Sequence, residues 1–305
     1  MAAREQTPKL DPRIAAGADY GNPDPVPAWM RVDWSQHRRS VELPGACVNY
    51  VEIGEGEPIL FIHGISGGWQ NWLENLPHFG ATHRAIALDL PGFNTSPMPT
   101  WEIGMAAYGR MIHDFCEKLG LEETTLVGNS MGGFIAVEAA TAGPQRFSRL
   151  ALVSAAGIIN IWNPEARATV TAAAWSRLGG AVADRGHAIV SHPRSRQLAL
   201  APFFRYPSQL RPELLVEQMA GGRCPGFGDA LQDLIGHDIR ERLPMIEMPT
   251  LIVWGLSDRV IPVAAAISYH RRIPHSRLEI FERTGHLPQL ERPTRFNRLL
   301  DDFIA

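Results

Sequence analysis

Cysteine is scarce in this chain of 305 residues. The three cysteines, Cys47, Cys116 and Cys224, are odd in number, and none has the C-x-x-C spacing. A disulfide framework needs paired cysteines, and a zinc ribbon or a redox motif needs that short spacing. The sequence therefore argues against those classes and predicts three reduced cysteines buried as small hydrophobic residues, which is typical of a cytoplasmic protein.

Long hydrophobic runs are also lacking. The N-terminal residues MAAREQTP do not supply the roughly 7 to 15 apolar residues of a signal peptide. No stretch of the chain approaches the roughly 18 apolar residues of a membrane span. We therefore expect a cytoplasmic protein without a transmembrane segment.

Positive charge is not in excess. The chain has 29 basic and 32 acidic residues, a net charge of −3, so it has no electrostatic footprint for nucleic acid. Histidines, cysteines and carboxylates show no metal-ligand spacing, and neither a Walker loop nor G-x-G-x-x-G is present. The sequence predicts no nucleic-acid partner, no metal and no cofactor, and it carries no signal of oligomeric state.

Apolar residues, in contrast, are plentiful. The chain is 45% hydrophobic and 20% charged, a composition that can bury a large core. Residues 1–28 are polar and rich in proline, which predicts a flexible N-terminal arm, with ordered structure beginning near Trp29.

Strand-like runs recur along the rest of the chain. The first two flank Pro44-Gly45 and predict an antiparallel hairpin, whereas the others alternate with helical segments. This pattern predicts an α/β fold with a mostly parallel sheet covered on both faces. The predicted strands span residues 41–43, 47–53, 59–62, 84–88, 124–127, 149–153, 250–254 and 277–281.

The alternation breaks once, between the sixth and seventh predicted strands. Residues 156–248 contain helical pieces and no convincing strand. We therefore predict a helical insertion there, with the core formed by residues 29–155 and 249–305.

The segment Gly128-Asn129-Ser130-Met131-Gly132-Gly133 stands between a strand-like run and a helical run. Small residues two positions before and after Ser130 allow a sharp strand-to-helix turn that exposes the hydroxyl. The N-terminus of the following helix directs N–H groups at an anion formed beside the serine. This pattern is typical of a nucleophile elbow.

Two partners for Ser130 follow it in the chain. Asp258 comes after the strand-like run at 250–254, and His286 comes after the run at 277–281. Both loops fall at the same edge of a parallel sheet as the serine turn. A weak nucleophile, a base near neutral pKa and a carboxylate that fixes the imidazole tautomer are the groups that acyl transfer requires.

Together with two further motifs, these residues resemble the α/β-hydrolase fold family. The further motifs are Phe61-Ile62-His63-Gly64-Ile65-Ser66-Gly67-Gly68 and Leu88-Asp89-Leu90-Pro91-Gly92-Phe93. The resemblance covers residues 40–305 and implies a mostly parallel eight-stranded sheet flanked by helices, with a helical cap inserted after the sixth strand. It also implies an oxyanion hole formed by the backbone N–H groups of Ile65 and Met131.

Each of these residues has a simpler alternative role. Ser130 can be an ordinary turn residue, and Asp258 can cap the helix that starts near Pro262. The loop after the sixth strand offers no competing carboxylate, which favours Asp258 as the acid. Asp89 fits a residue that braces its turn, and His63 fits one that shapes the oxyanion loop.

The resemblance implies hydrolysis of a small-molecule ester or other acyl substrate through an acyl-enzyme. A carboxylesterase and a carbon-carbon bond hydrolase of the meta-cleavage type both carry such an elbow. The second group usually has a tryptophan after the histidine and a more glycine-rich oxyanion loop, whereas this chain has Leu287 and His-Gly-Ile-Ser-Gly-Gly. This favours the esterase; the carbon-carbon hydrolase and a non-catalytic ligand receptor on the same fold stay open.

The insertion supplies candidates for the substrate pocket. Trp175, Phe203 and Phe204 offer apolar surface that can line it, although packing within the insertion explains such residues equally well. Arginines outnumber carboxylates in this region, so Arg205 is a candidate partner for an acidic substrate group.

Overall fold

The strand-like runs form one sheet in the computed structural model, which describes residues 20–158, 190–220 and 224–305. Every predicted strand is present, and the first begins earlier than predicted, at Arg38. The eight strands are β1 (Arg38–Leu43), β2 (Ala46–Ile53), β3 (Pro58–Ile62), β4 (Arg84–Leu88), β5 (Thr124–Asn129), β6 (Phe147–Val153), β7 (Thr250–Gly255) and β8 (Ser276–Phe281).

The sheet is parallel except at one edge. Its spatial order is β1-β2-β4-β3-β5-β6-β7-β8, and β2 runs antiparallel to both of its neighbours. All pairs from β4 to β8 are parallel. The carboxyl ends of β5, β7 and β8 therefore lie along one edge, where the loops that carry Ser130, Asp258 and His286 begin.

Helices connect the parallel strands and cover the sheet. Among the described residues they are α1 (Leu76–Phe79), α2 (Met105–Leu119), α3 (Met131–Ala142), α4 (Pro193–Leu200), α5 (Pro212–Ala220), α6 (Phe227–Gly236), α7 (Ala264–Arg272), α8 (Pro288–Glu291) and α9 (Pro293–Ile304). Short 3-10 turns add to these, notably Trp69–Trp72 after β3.

The core lies on both faces of the sheet. Side chains of a strand alternate between faces, so Leu60 and Ile62 of β3 join one apolar cluster, and Ile59 and Phe61 join the other. Every residue of β5 is buried. This two-sided burial explains why central strands such as β3 contain continuous apolar runs in the sequence.

The chain between β6 and β7 forms an insertion. Its described part contains α4, α5 and α6 and no strand, in agreement with the helical insertion expected after the sixth strand. Gln218 of α5 ties the insertion to the core, because its amide accepts from Asn71 Nδ2 (3.1 Å) and donates to Gln70 O (2.7 Å). The insertion thus lies over the turn that follows β3.

The described chain begins with a segment that two buried glutamates anchor. Glu74 accepts hydrogen bonds from Asn22 Nδ2 (2.7 Å) and Trp29 Nε1 (3.0 Å), and Glu291 O accepts from the Gly21 N–H (2.8 Å). The sequence placed the beginning of ordered structure near Trp29, whereas hydrogen-bonded packing begins at Tyr20. The division into arm, core and cap stays a prediction.

None of the described helices is long and apolar enough to span a bilayer.

Candidate active site

Ser130 lies on a strained turn between β5 and α3. Its φ of +55° and ψ of −117° belong to a region that a residue other than glycine rarely adopts, at a cost of about 1–3 kcal/mol. Hydrogen bonds from the Ser130 N–H to Val153 O (3.0 Å) and from the Ala156 N–H to Ser130 O (2.9 Å) hold the turn in place. The sharp strand-to-helix turn that the sequence predicts is therefore present.

Gly128 and Gly132 flank the serine at positions where no side chain fits. A Cβ atom on Gly132 would lie 2.2 Å from Ile62 O, and one on Gly128 would lie 2.3 Å from Gly132 O. These neighbours are backbone atoms of the packed core, which cannot move away as a flexible side chain can. The spacing of small residues around Ser130 is thus a steric requirement of the turn.

Met131 is the first residue of α3. The N–H groups of a helix's first turn have no acceptor inside the helix, and they carry the positive end of its dipole. The Met131 N–H therefore stands directly after the serine and is available to an oxygen beside it.

Asp258 and His286 form a buried pair. The His286 Nδ1 and Asp258 Oδ2 atoms are 2.8 Å apart, and their side chains are 5% and 0% exposed. A carboxylate can only accept, so the ring proton lies on Nδ1 and leaves Nε2 as an acceptor. This is the tautomer that can take a proton from a serine hydroxyl.

Asp258 does not cap the helix predicted to start near Pro262, because α7 begins at Ala264 and Val263 is its N-cap; the aspartate instead holds its own turn. Its Oδ1 accepts from the N–H groups of Val260 (2.8 Å) and Ile261 (2.9 Å). The backbone donors hold one oxygen, which leaves the other to face the imidazole.

The loops of the aspartate and the histidine are packed against each other. The Ser257 N–H donates to Thr284 O (2.9 Å), and a Cβ atom on Gly255 would lie 1.9 Å from Gly285 O. On the other side, the His286 N–H donates to Phe203 O of the insertion (2.7 Å). The histidine is therefore held between β7 and the insertion.

His63 organises the loop after β3. The Leu90 N–H donates to His63 Nε2 (2.9 Å), so Nδ1 carries the proton and donates to Gly64 O (2.7 Å). Burial lowers the pKa of this ring, which keeps it neutral. His63 thus braces the loop, as the sequence indicated.

This bracing sets the direction of the next N–H group. Gly64 O accepts a second bond from the Gly67 N–H (3.0 Å). In a trans peptide the C=O and the following N–H point in opposite directions, so the Ile65 N–H faces away from those two donors. The loop passes close to the serine, because a Cβ atom on Gly64 would lie 3.1 Å from Ser130 Cβ.

Asp89 braces the neighbouring turn, which confirms the role expected for it. Its carboxylate accepts from the Trp69 N–H (2.8 Å) and from the Thr95 hydroxyl (2.6 Å), and Asn94 Nδ2 donates to both oxygens. It is fully buried and acts within the fold.

The predicted pocket residues have different surroundings. Phe204 is buried in the apolar cluster that also contains Leu287, whereas Phe203 is partly buried and adjoins His286 through its carbonyl. Trp175 lies outside the described residues. The Arg205 guanidinium lies 4.9 Å from the centre of the Tyr206 ring. The pocket assignment stays a prediction.

Glu291 is a feature of the site that the sequence did not indicate. It is fully buried five positions after His286, and its carboxylate accepts from the Gly285 N–H (2.7 Å). Glutamates are ordinarily exposed, so the only available signal was closeness to the histidine in the sequence.

Two of the cavities formed by described residues share Trp69, in the turn after β3, as a lining residue. One of about 650 Å³ is lined in part by Trp29, Trp34 and Trp69, and another of about 410 Å³ by Arg38 and Asp89 among others. None of the three predicted triad residues lines either cavity. The candidate active site is therefore defined by its hydrogen bonds and backbone geometry.

None of the three cysteines forms a disulfide, and Cys116 is buried as expected, whereas Cys47 and Cys224 are only partly buried. Burial raises the pKa of the Cys116 thiol to about 12. Within the part of the chain that the structure describes, no group of three or more histidine, cysteine or carboxylate side chains is placed to hold a metal ion.

Comparison with known proteins gives one family match. A family model described as the alpha/beta hydrolase fold matches residues 57–293. A similar curated protein is 2-hydroxy-6-oxo-6-phenylhexa-2,4-dienoate hydrolase of Comamonas testosteroni, which is 30% identical over 86% of this chain and 93% of its own.

Two solved structures resemble the fold closely. The meta-cleavage product hydrolase of Pseudomonas fluorescens IP01 is 25% identical, with a TM-score of 0.69 over 87% of this chain and 97% of its own. Est816, described as an N-acyl homoserine lactone degrading enzyme, is 26% identical, with a TM-score of 0.68 over 87% of this chain and 100% of its own.

Proposed function

Because the chain belongs to the α/β-hydrolase fold family, we propose that it is a serine hydrolase that cleaves carboxylic esters through an acyl-enzyme. The observation that carries the proposal is the buried hydrogen bond of 2.8 Å between Asp258 and His286, at the sheet edge where Ser130 occupies its strained turn. In this proposal Ser130 is the nucleophile, His286 the general base and Asp258 the acid that orients it.

The first half of the reaction forms the acyl-enzyme. Ser130 Oγ attacks the carbonyl carbon while His286 Nε2 takes its proton, and Asp258 stabilises the imidazolium that forms. The oxyanion accepts hydrogen bonds from the N–H groups of Ile65 and Met131, each worth about 3 kcal/mol. The intermediate collapses as His286 gives its proton to the leaving alcohol. Water, deprotonated by the same histidine, then releases the acid.

The residue after the histidine supports the ester as substrate. A carbon-carbon hydrolase must hold its substrate's carboxylate and protonate a carbon, which requires polar groups beside the histidine. Leu287 is apolar and buried, and the Arg205 guanidinium packs over Tyr206. Neither residue therefore offers the polar group that a carbon-carbon hydrolase requires beside the histidine.

A substrate comparison tests the proposal. Purified protein is assayed with p-nitrophenyl esters of increasing chain length and with a vinylogous 1,5-diketo acid. We expect a burst of p-nitrophenol followed by steady turnover, because acylation releases the phenol before water clears the enzyme. A kcat/KM for the diketo acid above that for every ester would contradict the ester assignment.

The second candidate is a carbon-carbon bond hydrolase, and the similar proteins favour it. The Comamonas testosteroni relative, at 30% identity over most of both chains, is named for a 2-hydroxy-6-oxo-dienoate substrate. The same two-substrate assay separates the candidates. A protein that turned over neither class and gave no burst would instead fit a ligand receptor on this fold.

We also propose that Phe203 lines the acyl pocket, because its carbonyl binds the His286 N–H and its side chain is only partly buried. Phe203→Ala should change the KM ratio between short and long esters. Phe204, the neighbouring predicted pocket residue, is buried in the core cluster, so we now propose that it serves packing and use Phe204→Ala as the matched control. This control should lower the free energy of unfolding by about 3–5 kcal/mol with an unchanged ratio. An unchanged ratio in Phe203→Ala would contradict the assignment.

The absence of a disulfide among the three cysteines supports a reducing compartment as the site of this reaction, and we propose the cytoplasm.

A further inference from the structure

Glu291 is a buried carboxylate that joins three separate parts of the chain. One oxygen accepts from the Gly285 N–H (2.7 Å), and the other accepts from the Arg205 N–H (2.8 Å) and the Tyr20 hydroxyl (2.5 Å). These donors belong to the histidine loop, the insertion and the N-terminal segment. A single side chain therefore links all three at a point five residues after His286.

The surrounding backbone repeats the same connections. The His286 N–H donates to Phe203 O (2.7 Å), and the Tyr206 N–H donates to the Tyr20 hydroxyl (2.9 Å). A Cβ atom on Gly285 would lie 2.6 Å from Phe203 O, so glycine allows the loop and the insertion to come this close. Any movement of the Glu291 carboxylate therefore affects the backbone of the histidine loop and the backbone of the insertion.

Charged and titratable groups face this cluster from every element packed on it. Burial raises the pKa of Glu291 to about 7, with the Asp258 charge acting in the same direction and the three hydrogen bonds opposing it. The groups concerned are the Asp258 carboxylate, the His286 imidazole, the Tyr20 hydroxyl, the Arg292 guanidinium 4.9 Å from the Tyr20 ring and the Arg205 guanidinium over Tyr206.

We propose that ionised Glu291 is a positioning residue that fixes the His286 loop against the insertion and so aims the imidazole at Ser130. The inference rests on the proposed hydrolase function. The carboxylate gives both backbone N–H groups a charged acceptor, whereas the neutral acid offers one of them a hydroxyl oxygen, which is a weaker acceptor, so the neutral acid holds the loop less well.

Glu291→Gln tests this role with little change in volume. In either orientation of the amide, one of the two backbone N–H groups faces an NH₂ group instead of an oxygen. We expect kcat to fall about tenfold to a hundredfold, because small misplacements of a base have effects of this size. Glu55→Gln, at an exposed turn position, is the matched control and should leave kcat unchanged.

The pH profile distinguishes positioning from a purely structural role. In the wild type, binding of two protons should inactivate the enzyme on the acid side, because His286 must be neutral and Glu291 ionised, so log kcat should rise with pH with a slope of two. In Glu291→Gln the slope should be one. A variant that folds normally and keeps both the wild-type kcat and the two-proton slope would overturn the proposal.

Tyr20→Phe provides a second variant in case Glu291→Gln fails to fold. The Tyr20 hydroxyl favours the ionised form of Glu291, so its removal should raise the pKa of that carboxyl. The acid limb should therefore move to higher pH with its two-proton slope retained. An acid limb that stays in place would also overturn the proposal.

Amide hydrogen exchange separates this inference from the proposed function. Exchange at the Gly285 and Arg205 N–H groups needs no substrate, and it should be faster in Glu291→Gln than in the wild type. If the wild type hydrolyses no ester but these amides lose protection, the function fails and the anchoring by Glu291 stands. Unchanged protection at both amides would refute the anchoring itself.

Discussion

At the residue scale, the proposed mechanism depends on Ser130. Replacing it with alanine should lower ester turnover by about 10⁴-fold or more, because a triad acts as a unit and loses most of its effect when one member is removed. Initial-rate assays with the burst amplitude measure this loss, and circular dichroism checks the fold. Ser148→Ala is a matched control, since the Ser148 hydroxyl binds Glu123 O away from the site. Substantial turnover in pure Ser130→Ala would remove the serine from the mechanism.

Asp258→Asn should be nearly as damaging, for a reason visible in its contacts. The N–H groups of Val260 and Ile261 hold one side-chain oxygen, so the new NH₂ group must face His286 Nδ1. The ring then carries its proton on Nε2 and cannot accept one from the serine, which costs about 10⁴-fold in kcat at neutral pH.

The surface offers a control for this substitution. Asp301 makes a similar contact with His78 at 2.7 Å, and both side chains are exposed. Asp301→Asn should leave kcat at the wild-type value. Equal activity of Asp258→Asn and Asp301→Asn would mean that another group orients His286.

Residues with a local signature could be found from the sequence, and others could not. Ser130, Asp258 and His286 each follow a strand, and a parallel sheet brings such loops to one edge, so the pairing of Asp258 with His286 was predictable. The buried position of Glu291 arises from segments far apart in the chain, Tyr20 and Arg205 among them. The periodicity or spacing of residues within one segment does not predict contacts between segments that are far apart in the sequence.

At the scale of elements, the turn between β5 and α3 has the strictest steric demands. Gly132→Ala would place a methyl group 2.2 Å from Ile62 O, a backbone atom in the core. We expect a loss of at least about 2 kcal/mol in the free energy of unfolding, measured with urea, together with lost turnover.

Gly228→Ala is the matched control for that substitution. A Cβ atom at Gly228 of α6 meets nothing within 4 Å. Alanine should therefore be neutral or stabilise the protein by up to about 1 kcal/mol. If both variants unfolded at the same urea concentration, crowding around Gly132 would not explain its identity.

The strands were more predictable than the insertion for a physical reason. A strand buried on both faces is largely apolar, as β3 is with its buried run of Ile, Leu, Phe and Ile, and this leaves a clear record in the sequence. The helices of the insertion pack only in part against the core, and α4 carries exposed residues such as Leu198, at 84% exposure. The helical nature of the insertion could be predicted from the sequence, but the contacts of the insertion with the core could not.

At the scale of the whole molecule, Glu291 should make stability depend on pH. Its folded pKa of about 7 exceeds the ordinary value of 4.5, so the folded state binds more protons than the unfolded state between those values. The stabilisation is present at low pH and is lost as pH rises towards 7, by about 3 kcal/mol.

The difference in unfolding free energy between wild type and Glu291→Gln isolates this effect. Urea titrations at several pH values from about 4.5 to 7.5 should show the difference changing in favour of the variant as pH rises. Other titrating groups are common to both proteins and cancel. A difference that stays constant with pH would show that Glu291 keeps its ordinary pKa in the folded protein.

The described part of the N-terminal segment, which begins at Tyr20, makes contacts that the sequence did not predict. Its prolines and polar residues are typical of a flexible arm, yet Tyr20, Asn22 and Trp29 bind buried carboxylates of the core. Their partners, Glu74 and Glu291, come much later in the chain. Only the assembled fold brings these groups together.

At Ser130, the residue that activity requires is not the residue that would give the greatest stability. A residue with its φ of +55° is strained, and glycine would relieve the strain at the loss of the hydroxyl. Mutants selected only for resistance to heat should therefore accumulate glycine at this position and lose activity. Populations that are also selected for turnover should instead keep serine at this position.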